Sequence, residues 1–564
     1  MSDSAGIIRQ SLSELDVNVY RVEERFFPDE RWLIAFVDPE NLAAAQSAAG
    51  SIEQALNRTI DPETTTAFAL TFRPYRESEG VPPQEPEENR YRKRLMSSQV
   101  DQLVKLLEAR SRTSDALPSL RYVEDPRASL AAATATRHQI IYGRRGVGKT
   151  ALLVESKRLA ERDGNTTVWI NAQVLKGFTA DQAFLHLAEG IVEAVVRHSG
   201  SSTASAVQTL RDFLEKVRGL RDDEDLPNTR VRRVVADLNG SLRRVLRHDL
   251  HQLIVYIDDF YLYAVEQQAS FLDLLAALLR DCNGWIKIAS IERLSRPFEP
   301  STRVGLEVPH DATKIDLDVT LEDPGAAQKF LEDVLSHYTS SAGLHVVGAI
   351  ANSESLGRLV LASGGVPRDY LNLFSNSIVA ARERPKSREI GKEDVASASG
   401  SSTRSKKRDL ELDVASDESA KLLDAIERIS ESVKGAGYTY FRLDASQKTL
   451  PGYETLSRLV DLRFLHLIQS TLSDKHSPGI KYESYVLALS EYTDVRLKRG
   501  LQVLDVENGT WTHRQSGKAK TSANLSKTQF RDRLRLSPIV DLRRLTDHDS
   551  RDVIREDQSG FQEE

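Results

Sequence analysis

The hydrophobic pattern is most regular between residues 137 and 322, where short apolar runs alternate with amphipathic stretches. The apolar runs are typical of buried strands, and the amphipathic stretches have the spacing of helices. Such alternation implies crossover connections and therefore a parallel sheet. Between two of the strands, residues 200–250 form a long polar and charged helical stretch. We expect this stretch to be an insertion at the rim of the sheet.

The segments before this region indicate a separate module and a linker. Strand patterns at 17–27, 32–37 and 64–75 surround an alanine-rich helical stretch. Residues 1–78 are therefore expected to form a small α+β domain. Residues 79–95 are polar and proline-rich, which is typical of a linker.

The central domain is expected to span residues 96–324, and the chain changes character after it. The changes of pattern place the further segments at 325–396 (helical), 397–417 (a Ser-rich connector), 418–545 (a last folded domain) and 546–564 (a polar, acidic tail). Within the last domain, 420–433 and 453–470 have the pattern of helices and 480–488 that of a strand. The composition of the tail predicts disorder.

A glycine-rich stretch follows the first strand of the central domain. Its residues are Gly143, Arg144, Arg145, Gly146, Val147, Gly148, Lys149 and Thr150. A strand pattern precedes it and a helical pattern follows, which is the context of a phosphate-binding loop. The glycines let backbone N–H groups point inward, and the helix start adds partial positive charge. We expect Lys149 to reach the β and γ phosphates of ATP and Thr150 to coordinate Mg²⁺. A chance pattern in a glycine-rich turn is the alternative.

A second apolar strand is followed by two carboxylates. Leu253 to Ile257 is apolar throughout, as strands buried on both faces are, and Asp258 and Asp259 come next. Ligands of parallel sheets bind at the carboxyl ends of the strands. We expect this strand to neighbour the first one, Asp258 to hold Mg²⁺, and Asp259 to orient or deprotonate the attacking water. A strand followed by a solvated acidic turn is the alternative.

A third apolar strand ends at Ser290. Its hydroxyl is expected to position the attacking water or to contact the γ phosphate. A plain serine cap after the strand is nearly as well supported.

These motifs follow one another in an order that is typical of a known family. Together with Gly364-Gly365-Val366-Pro367-Arg368, they make residues 118–500 resemble the AAA+ ATPases of the origin-recognition and replication-initiator clade. The chain also resembles their relatives, the STAND signal-transduction ATPases. The resemblance implies an α/β P-loop NTPase sheet with a helical lid and a C-terminal winged-helix-like domain. It also implies that Arg368 of the lid contacts the γ phosphate, with a structural arginine that caps a helix as the alternative.

Two features depart from the family. Asp259 stands where vigorous hydrolases usually carry Glu, which places the carboxylate about one methylene further from the water, so slow turnover is expected. Lys149 and Asp258 lie 109 residues apart, which is long for the clade and marks the insertion at 200–250.

Two further parts of the expected site are less distinct in the sequence. No arginine finger is obvious: the family places one after Ser290, where Arg293, Arg296 and Arg303 lie, and a surface role is favoured for each of them. Tyr122 and Val123 precede the core where the family often packs residues on the base.

Composition narrows the class of protein. Hydrophobic residues make up 40% and charged residues 28% of 564 residues, which suits roughly three or four globular domains. The net charge of −7 argues against a general nucleic-acid coat. The single cysteine, Cys282, excludes an internal disulfide and a cysteine-rich metal site. Because a signal-peptide pattern and long apolar runs are missing from the sequence, we expect a cytoplasmic protein without a membrane partner.

Basic residues gather between positions 511 and 535. In the sequence, Asp532 is the one acidic residue of this stretch, and the basic ones are Arg514, Lys518, Lys520, Lys527, Arg531, Arg533 and Arg535. Such a stretch can neutralise phosphates of duplex DNA in a salt-dependent, sequence-independent way. A solvated basic segment, or an intramolecular partner for the acidic tail, is the alternative.

Two functions of different classes are consistent with these residues. The first is a slow ATP-dependent switch or scaffold with a protein partner, which analogy places in bacterial defence or mobile-element biology. The second is an ATP-gated DNA-binding initiator or loader that uses the winged helix. A protein that binds nucleotide without hydrolysing it is a third reading, and homo-oligomerisation stays open.

Overall fold

The computed structural model describes most of the chain. The residues that it describes are 4–26, 30–58, 67–75, 94–109, 122–198, 204–221, 228–249, 252–344, 347–385, 387–412, 417–475, 479–493, 500–516, 523–546 and 552–555. The chain divides into two compact units, Met1–Arg94 and Leu95–Glu564. Among the described helices, none is both long and apolar enough to cross a membrane.

In its described residues, the first unit is a three-stranded sheet with two helices. Its elements are α1 (Ser4–Ser13), β1 (Val19–Phe26), β2 (Glu30–Val37), α2 (Leu42–Arg58) and β3 (Ala67–Pro74). β2 lies in the centre, antiparallel to β1 and parallel to β3. Apolar residues of both helices and of the sheet form its core, among them Leu12, Leu33 and Leu56. The predicted strands and helix are confirmed, apart from residues 27 and 64–66, which lie outside the described residues. α1 was not predicted.

A five-stranded parallel sheet forms the centre of the second unit. Its first part contains α3 (Ser98–Ala109), α4 (Ser129–Ala133), β4 (His138–Tyr142), α5 (Lys149–Arg162), β5 (Thr166–Asn171), α6 (Ala180–His198), α7 (Ala204–Arg221), α8 (Asn228–Asp249), β6 (Leu253–Asp258), α9 (Val265–Leu279), β7 (Gly284–Ser290), β8 (Phe298–Glu299), β9 (Val304–Gly305) and β10 (Ala312–Asp316). The strand order is β10-β4-β7-β6-β5, and all neighbours are parallel. The predicted parallel α/β sheet is confirmed. The expectation that the Asp258 strand neighbours the first strand is wrong, because β7 lies between β4 and β6.

The polar stretch predicted between β5 and β6 is helical in its described residues, 204–221 and 228–249, as expected. It ends in α8, whose apolar positions Val231, Leu238 and Val245 are buried in the core on one face of the sheet. Asn239 of α8 donates to the carbonyls of Leu278 and Arg280, each at 2.8 Å, at the end of α9. The insertion is therefore part of the core and not an appendage.

In the described part of residues 324–412, four helices follow the sheet, and we refer to them as the lid. They are α10 (Pro324–Ser341), α11 (Ser353–Ser363), α12 (Pro367–Glu383) and α13 (Lys392–Leu412). α3 also belongs here, since Arg382 of α12 donates to the Leu95 carbonyl at 2.9 Å and pairs with Asp101 at 2.8 Å.

The connector expected at 397–417 is helical as far as Leu412, so that expectation is wrong for 397–412. α13 carries small residues at helical spacing, and Ala398, Ser399 and Thr403 are buried. Small side chains allow close packing, which compensates for the weak helix propensity of serine.

The C-terminal domain contains two more sheets. Its elements are α14 (Asp417–Gly435), β11 (Tyr440–Asp444), α15 (Gly452–Asp461), β12 (Leu465–Ser473), β13 (Lys481–Leu487), α16 (Ser490–Thr493), β14 (Gln502–Glu507), β15 (Thr510–Gln515), β16 (Ala523–Asn524), α17 (Lys527–Arg535), β17 (Ile539–Val540) and α18 (Leu542–Thr546). The strand orders are β12-β13-β11-β17 and β14-β15-β16.

Two predictions for this domain are corrected. The helix predicted at 453–470 ends at Asp461, because Arg463 takes a positive φ of 65° and the apolar run from Leu465 pairs with β13. Part of the tail predicted to be disordered is packed: Val553 is buried, and Ile554 forms a bridge with Val540.

The lid and the C-terminal domain share one hydrophobic core, which is separate from the two cores on the faces of the sheet. α11 packs against β14, where a Cβ on Gly357 would lie 2.4 Å from the Val506 carbonyl oxygen. Trp511 Nε1 donates to the Leu321 carbonyl at 3.2 Å. A movement of the lid would therefore carry the C-terminal domain with it.

Candidate nucleotide site

The glycine-rich loop joins β4 to α5 around a buried lysine. Gly146 and Gly148 have φ values of 84° and 106°, in the region that favours glycine. Lys149 is only 6% exposed, and its Nζ donates to the carbonyls of Gly143 at 2.7 Å and Arg144 at 3.0 Å. Burial lowers the pKa of Lys149 to about 8, although nearby carboxylates oppose the shift. The loop thus places a strong donor beside the first N–H groups of α5, which have no acceptor within the helix.

Two other loop residues anchor the loop to its surroundings. Val147 is buried in the core that also contains Leu152 and Val366. The Arg145 guanidinium lies over the Tyr261 ring, 5.2 Å from its centroid. These contacts fix the loop between the sheet and the turn after β6.

Thr150 and Asp258 meet at the carboxyl edge of the sheet. Thr150 Oγ1, at the start of α5, donates to Asp258 Oδ1 at 3.2 Å, although β7 lies between β6 and the strand β4 that precedes the loop. Burial, and then the charge of Asp259, raises the pKa of Asp258 to about 6. A hydroxyl and a carboxylate are oxygen ligands that suit Mg²⁺, so this pair fits the metal that the sequence predicts.

Asp259 starts the turn after β6 in an uncommon backbone conformation. Its φ of 51° and ψ of 38° lie in the left-handed region, which is rare for residues other than glycine. Its carboxylate accepts a hydrogen bond from Asn171 Nδ2 at 3.3 Å. Asn171 ends β5, and its Oδ1 accepts from the Gln173 N–H at 2.9 Å, which fixes the orientation of the amide. Asn171 was not among the predicted site residues, although a polar residue at the end of an apolar strand is a signal that could have identified it.

Ser290 ends β7 and is fully buried. Its hydroxyl shares a hydrogen bond with the Ser295 hydroxyl, which itself donates to the Ile291 carbonyl at 2.9 Å. Ser290 therefore lies at the same edge of the sheet as Asp258, but its hydroxyl is engaged in the loop that follows β7.

The lid meets the loop at Gly146. The Arg368 N–H donates to the Gly146 carbonyl at 3.3 Å, and a Cβ on Gly146 would lie 2.9 Å from Arg368 Cβ. Arg144 joins the same elements, because its Nε pairs with Asp318 at 3.1 Å and its Nη2 donates to the Gly364 carbonyl at 3.2 Å. The fold thus brings the backbone and Cβ of Arg368 to the loop, while its contact with the γ phosphate stays a prediction.

The C-terminal domain contacts the same loop, which the sequence analysis did not foresee. Arg463 Nη2 donates to the Arg145 carbonyl at 2.5 Å, and its guanidinium forms an ion pair with Asp369 of α12. The side chains of Arg463 and Asp369 are only 14% and 16% exposed. Burial lowers the pKa of Arg463, and the charge of Asp369 opposes that shift. One side chain thus connects loop, lid and C-terminal domain.

Two neighbours of Arg463 extend this contact. Asp461 forms an ion pair with Arg293, one of the arginines after Ser290, which is therefore engaged within the chain. His466 is buried against Gly364 of the lid, where an added Cβ would lie 2.2 Å from His466 Nδ1. Burial lowers the pKa of His466 to about 3, so the ring is neutral near physiological pH.

The residues expected to pack on the base, Tyr122 and Val123, lie at a junction. Tyr122 packs with the core that contains Val147, and Val123 packs with the core of the lid. The pair therefore spans the sheet and the lid.

The basic stretch at 511–535 contains bonded and exposed residues. Lys527, Arg531 and Arg533 are exposed on α17, while Arg514 on β15 is half-buried. Arg535 pairs with Asp532 at 2.7 Å and donates to the Ser473 carbonyl at 3.0 Å. Lys518 and Lys520 lie outside the described residues.

Residues 127–284 match the family model of the AAA ATPase domain. This match covers the glycine-rich loop, the Asp258 strand and the start of β7, so the AAA ATPase domain expected from the sequence is confirmed for these residues. Among the curated proteins, none matches the sequence.

Solved structures that the chain resembles include three proteins of archaea and animals. Cdc6p from Pyrobaculum aerophilum is 14% identical with a TM-score of 0.29, over 73% of this chain and 93% of that one. Orc1 of Aeropyrum pernix, solved in complex with DNA, is 16% identical with a TM-score of 0.30, over 73% and 94%. Drosophila ORC bound to DNA is 12% identical with a TM-score of 0.28, over 62% and 87%. At these identities and TM-scores, the likeness identifies neither a function nor a partner.

Proposed function

With a AAA ATPase domain at residues 127–284 as the premise, we propose that the chain is a slow ATP-dependent switch. The observation that carries this proposal is the hydrogen bond from Arg463 to the Arg145 carbonyl. Through it, the C-terminal domain touches the loop that would surround the phosphates, so the occupant of the loop can influence that domain.

Nucleotide binding would depend on the loop from Gly143 to Thr150. Its N–H groups and the start of α5 favour the phosphates, and Lys149 would exchange its two loop carbonyls for phosphate oxygens. Thr150 and Asp258 would hold Mg²⁺, which neutralises negative charge on the phosphates when it is bound. In support, these two side chains already lie within hydrogen-bond distance.

Hydrolysis would depend on Asp259, held by Asn171. A carboxylate beside the attacking water can orient it and accept its proton. The side chain of aspartate is shorter than the glutamate of vigorous hydrolases, which supports slow turnover. Ser290 and Arg368 would contact the γ phosphate from β7 and from the lid.

The switch would act through the shared core of the lid and the C-terminal domain. Arg368 and Arg463 approach the loop from these two regions, at Gly146 and Arg145. A change of phosphate charge in the loop would act on both arginines, and a packed core transmits a shift of either region to the other. A protein partner of the C-terminal domain would then detect the nucleotide state.

The second candidate function is an ATP-gated DNA-binding initiator or loader. The order α14, β11, α15, β12, β13 and the sheet β12-β13-β11 support a winged helix, and the exposed Lys527 and Arg531 support a phosphate contact. The charges of α15 weigh against this reading. α15 carries Glu454 and Asp461 against Arg458, and Asp461 is paired with Arg293 of the ATPase domain. We therefore favour the switch.

The test is ATP turnover by the full chain, with and without duplex DNA, beside hydrogen exchange of residues 461–473 with and without ATP. The variants are Lys149→Ala and, as a matched surface control, Lys527→Ala. For a switch we expect turnover that is indifferent to DNA and lost in Lys149→Ala. Hydrogen exchange should change with ATP in the wild type and in the Lys527→Ala control, but not in Lys149→Ala.

Other outcomes select other functions. Turnover that rises with DNA, and falls in Lys527→Ala, would support the loader. ATP binding that Lys149→Ala leaves intact would disprove the site itself. If hydrogen exchange of residues 461–473 does not change with ATP while turnover is intact, the chain would be an ATPase without the proposed switch.

A further inference from the structure

Gln268 is a buried polar residue that the nucleotide chemistry described above does not use. It lies in the first turn of α9 and is 0% exposed. A buried amide that loses its hydrogen bonds destabilises the fold, so its partners are informative. These partners come from two different loops.

The first loop is the turn after β6, which begins at Asp259. Gln268 Nε2 donates to the Tyr263 carbonyl at 2.9 Å and lies 3.5 Å from the Phe260 carbonyl. The Leu262 N–H donates to the Asp259 carbonyl at 2.9 Å within the same turn. Gln268 therefore closes the turn that holds Asp259 in its left-handed conformation.

The second loop follows β7 and Ser290. Gln268 Oε1 accepts from the Arg296 N–H at 2.7 Å, and Nε2 lies 3.5 Å from the Leu294 carbonyl. Between these two residues lies Ser295, whose hydroxyl bonds to that of Ser290. Gln268 thus also fixes the backbone that presents the partner of Ser290.

The orientation of the amide is determined by these contacts. Oε1 must face the Arg296 N–H, because only an oxygen accepts, and Nε2 must face the carbonyls, because only the nitrogen donates. One rigid planar group therefore sets the separation of the two loops.

We propose that Gln268 is a positioning residue for hydrolysis, which clamps the turn of Asp259 to the loop of Ser290. This inference rests on the proposed ATPase function. The two side chains act on the same reacting group from different strands, so their separation must be held during turnover. Small misplacements of catalytic groups reduce rates strongly, up to roughly 100-fold for a shift of about 1 Å.

The test replaces the amide by a group of similar length that donates no hydrogen bond and accepts only weakly. Gln268→Met should lower kcat by roughly 10- to 100-fold, while the Kd of ATP stays near the wild-type value. The matched control is Gln328→Met in the lid. Gln328 is also buried, donates to Glu332 at 2.6 Å and accepts from the Gly509 N–H at 2.7 Å. It should lower the melting temperature comparably and leave kcat unchanged.

A second variant keeps the test decisive if Gln268→Met does not fold. Ser295→Ala removes only the hydroxyl between the clamp and Ser290, and we expect it to lower kcat without changing the Kd of ATP. In the double variant, the two losses of kcat should not add, because both act through the same loop.

The inference is overturned if Gln268→Met turns over like the wild type, if Gln328→Met loses as much kcat, or if the Kd of ATP rises in parallel with the loss of kcat. In each of these cases, wild-type turnover that depends on Lys149 would leave the proposed ATPase standing. Absence of turnover in the wild type would instead remove both.

Discussion

Arginines gather in two regions of this chain, around the glycine-rich loop and along α17, and the two regions use them differently. At the loop, the Arg144 and Arg463 side chains are 13% and 14% exposed, and each bonds to a carboxylate and to a backbone carbonyl. On α17, Arg531 and Arg533 are exposed to solvent. The density of basic residues in a sequence therefore does not show which of their side chains are buried and paired in the fold.

The physical reason is solvation. An exposed ion pair contributes about 0–1 kcal/mol, because water screens it, whereas removing one partner of a buried pair destabilises by roughly 3–5 kcal/mol. Substitutions in the two regions should therefore differ in their effect on stability.

The largest effect is expected for Arg463→Ala. The substitution leaves the Asp369 carboxylate largely buried and without its ion-pair partner, so the free energy of unfolding should fall by about 3 kcal/mol. Urea unfolding followed by tryptophan fluorescence measures this, since Trp511 lies in the shared core. Arg533→Ala on α17 is the control. Equal losses of unfolding free energy in both variants would contradict the proposed difference between the two regions.

A smaller effect is expected for Arg144→Ala. The variant loses the bonds to Asp318 and to the Gly364 carbonyl, and charged hydrogen bonds of this kind contribute about 1.5–3 kcal/mol. The melting temperature should fall, and hydrogen exchange at the start of α12 should increase. Arg145→Ala removes mainly a contact with the Tyr261 ring and should have less effect. The reverse ranking would contradict the assignment of Arg144 as the link between loop and lid.

Asn171, an uncharged residue of the nucleotide site, is expected to affect turnover. Asn171→Ala removes the donor to Asp259, and a loss of about 1.4 kcal/mol corresponds to roughly tenfold slower turnover. Binding of ATP should be unchanged, because Asn171 contacts the carboxylate and not the loop. Single-turnover kinetics and equilibrium binding separate the two quantities, and a loss confined to binding would disprove this role.

The smallest effect is expected for the double substitution Lys527→Ala with Arg531→Ala. Both side chains are exposed, so the free energy of unfolding should change by less than about 0.5 kcal/mol. Retention on duplex DNA across a salt series is the second measurement. If the α17 residues bind phosphates, the wild type should be retained more strongly at low salt than the variant. A large loss of stability would show that these residues are structurally engaged after all.

Local pattern was sufficient for much of the fold. The alternation from 137 to 322 predicted the parallel sheet, and the context of the glycine-rich loop predicted the helix that follows it, α5. The hydrophobic pattern failed where the structure depends on contacts with residues that are distant along the chain. Leu465 to Ser473 has an apolar spacing that a helix also satisfies, and only the pairing with β13 makes it a strand. The Ser-rich run in α13 has weak helix propensity, and only its packing in the lid keeps it helical.

The sequence by itself determined the residues whose role depends on near neighbours: the glycines and Lys149 of the loop, and Asp258 and Asp259 at the end of an apolar strand. Their chemistry follows from a strand, a turn and a helix start, which are local structures. Tertiary structure alone decided the contacts of Asn171, Gln268 and Arg463. Arg463 lies 318 positions from the carbonyl that it binds. Hydropathy and spacing describe only short stretches of chain. They cannot predict a contact over that distance, which forms only because the lid and the C-terminal domain pack into one core.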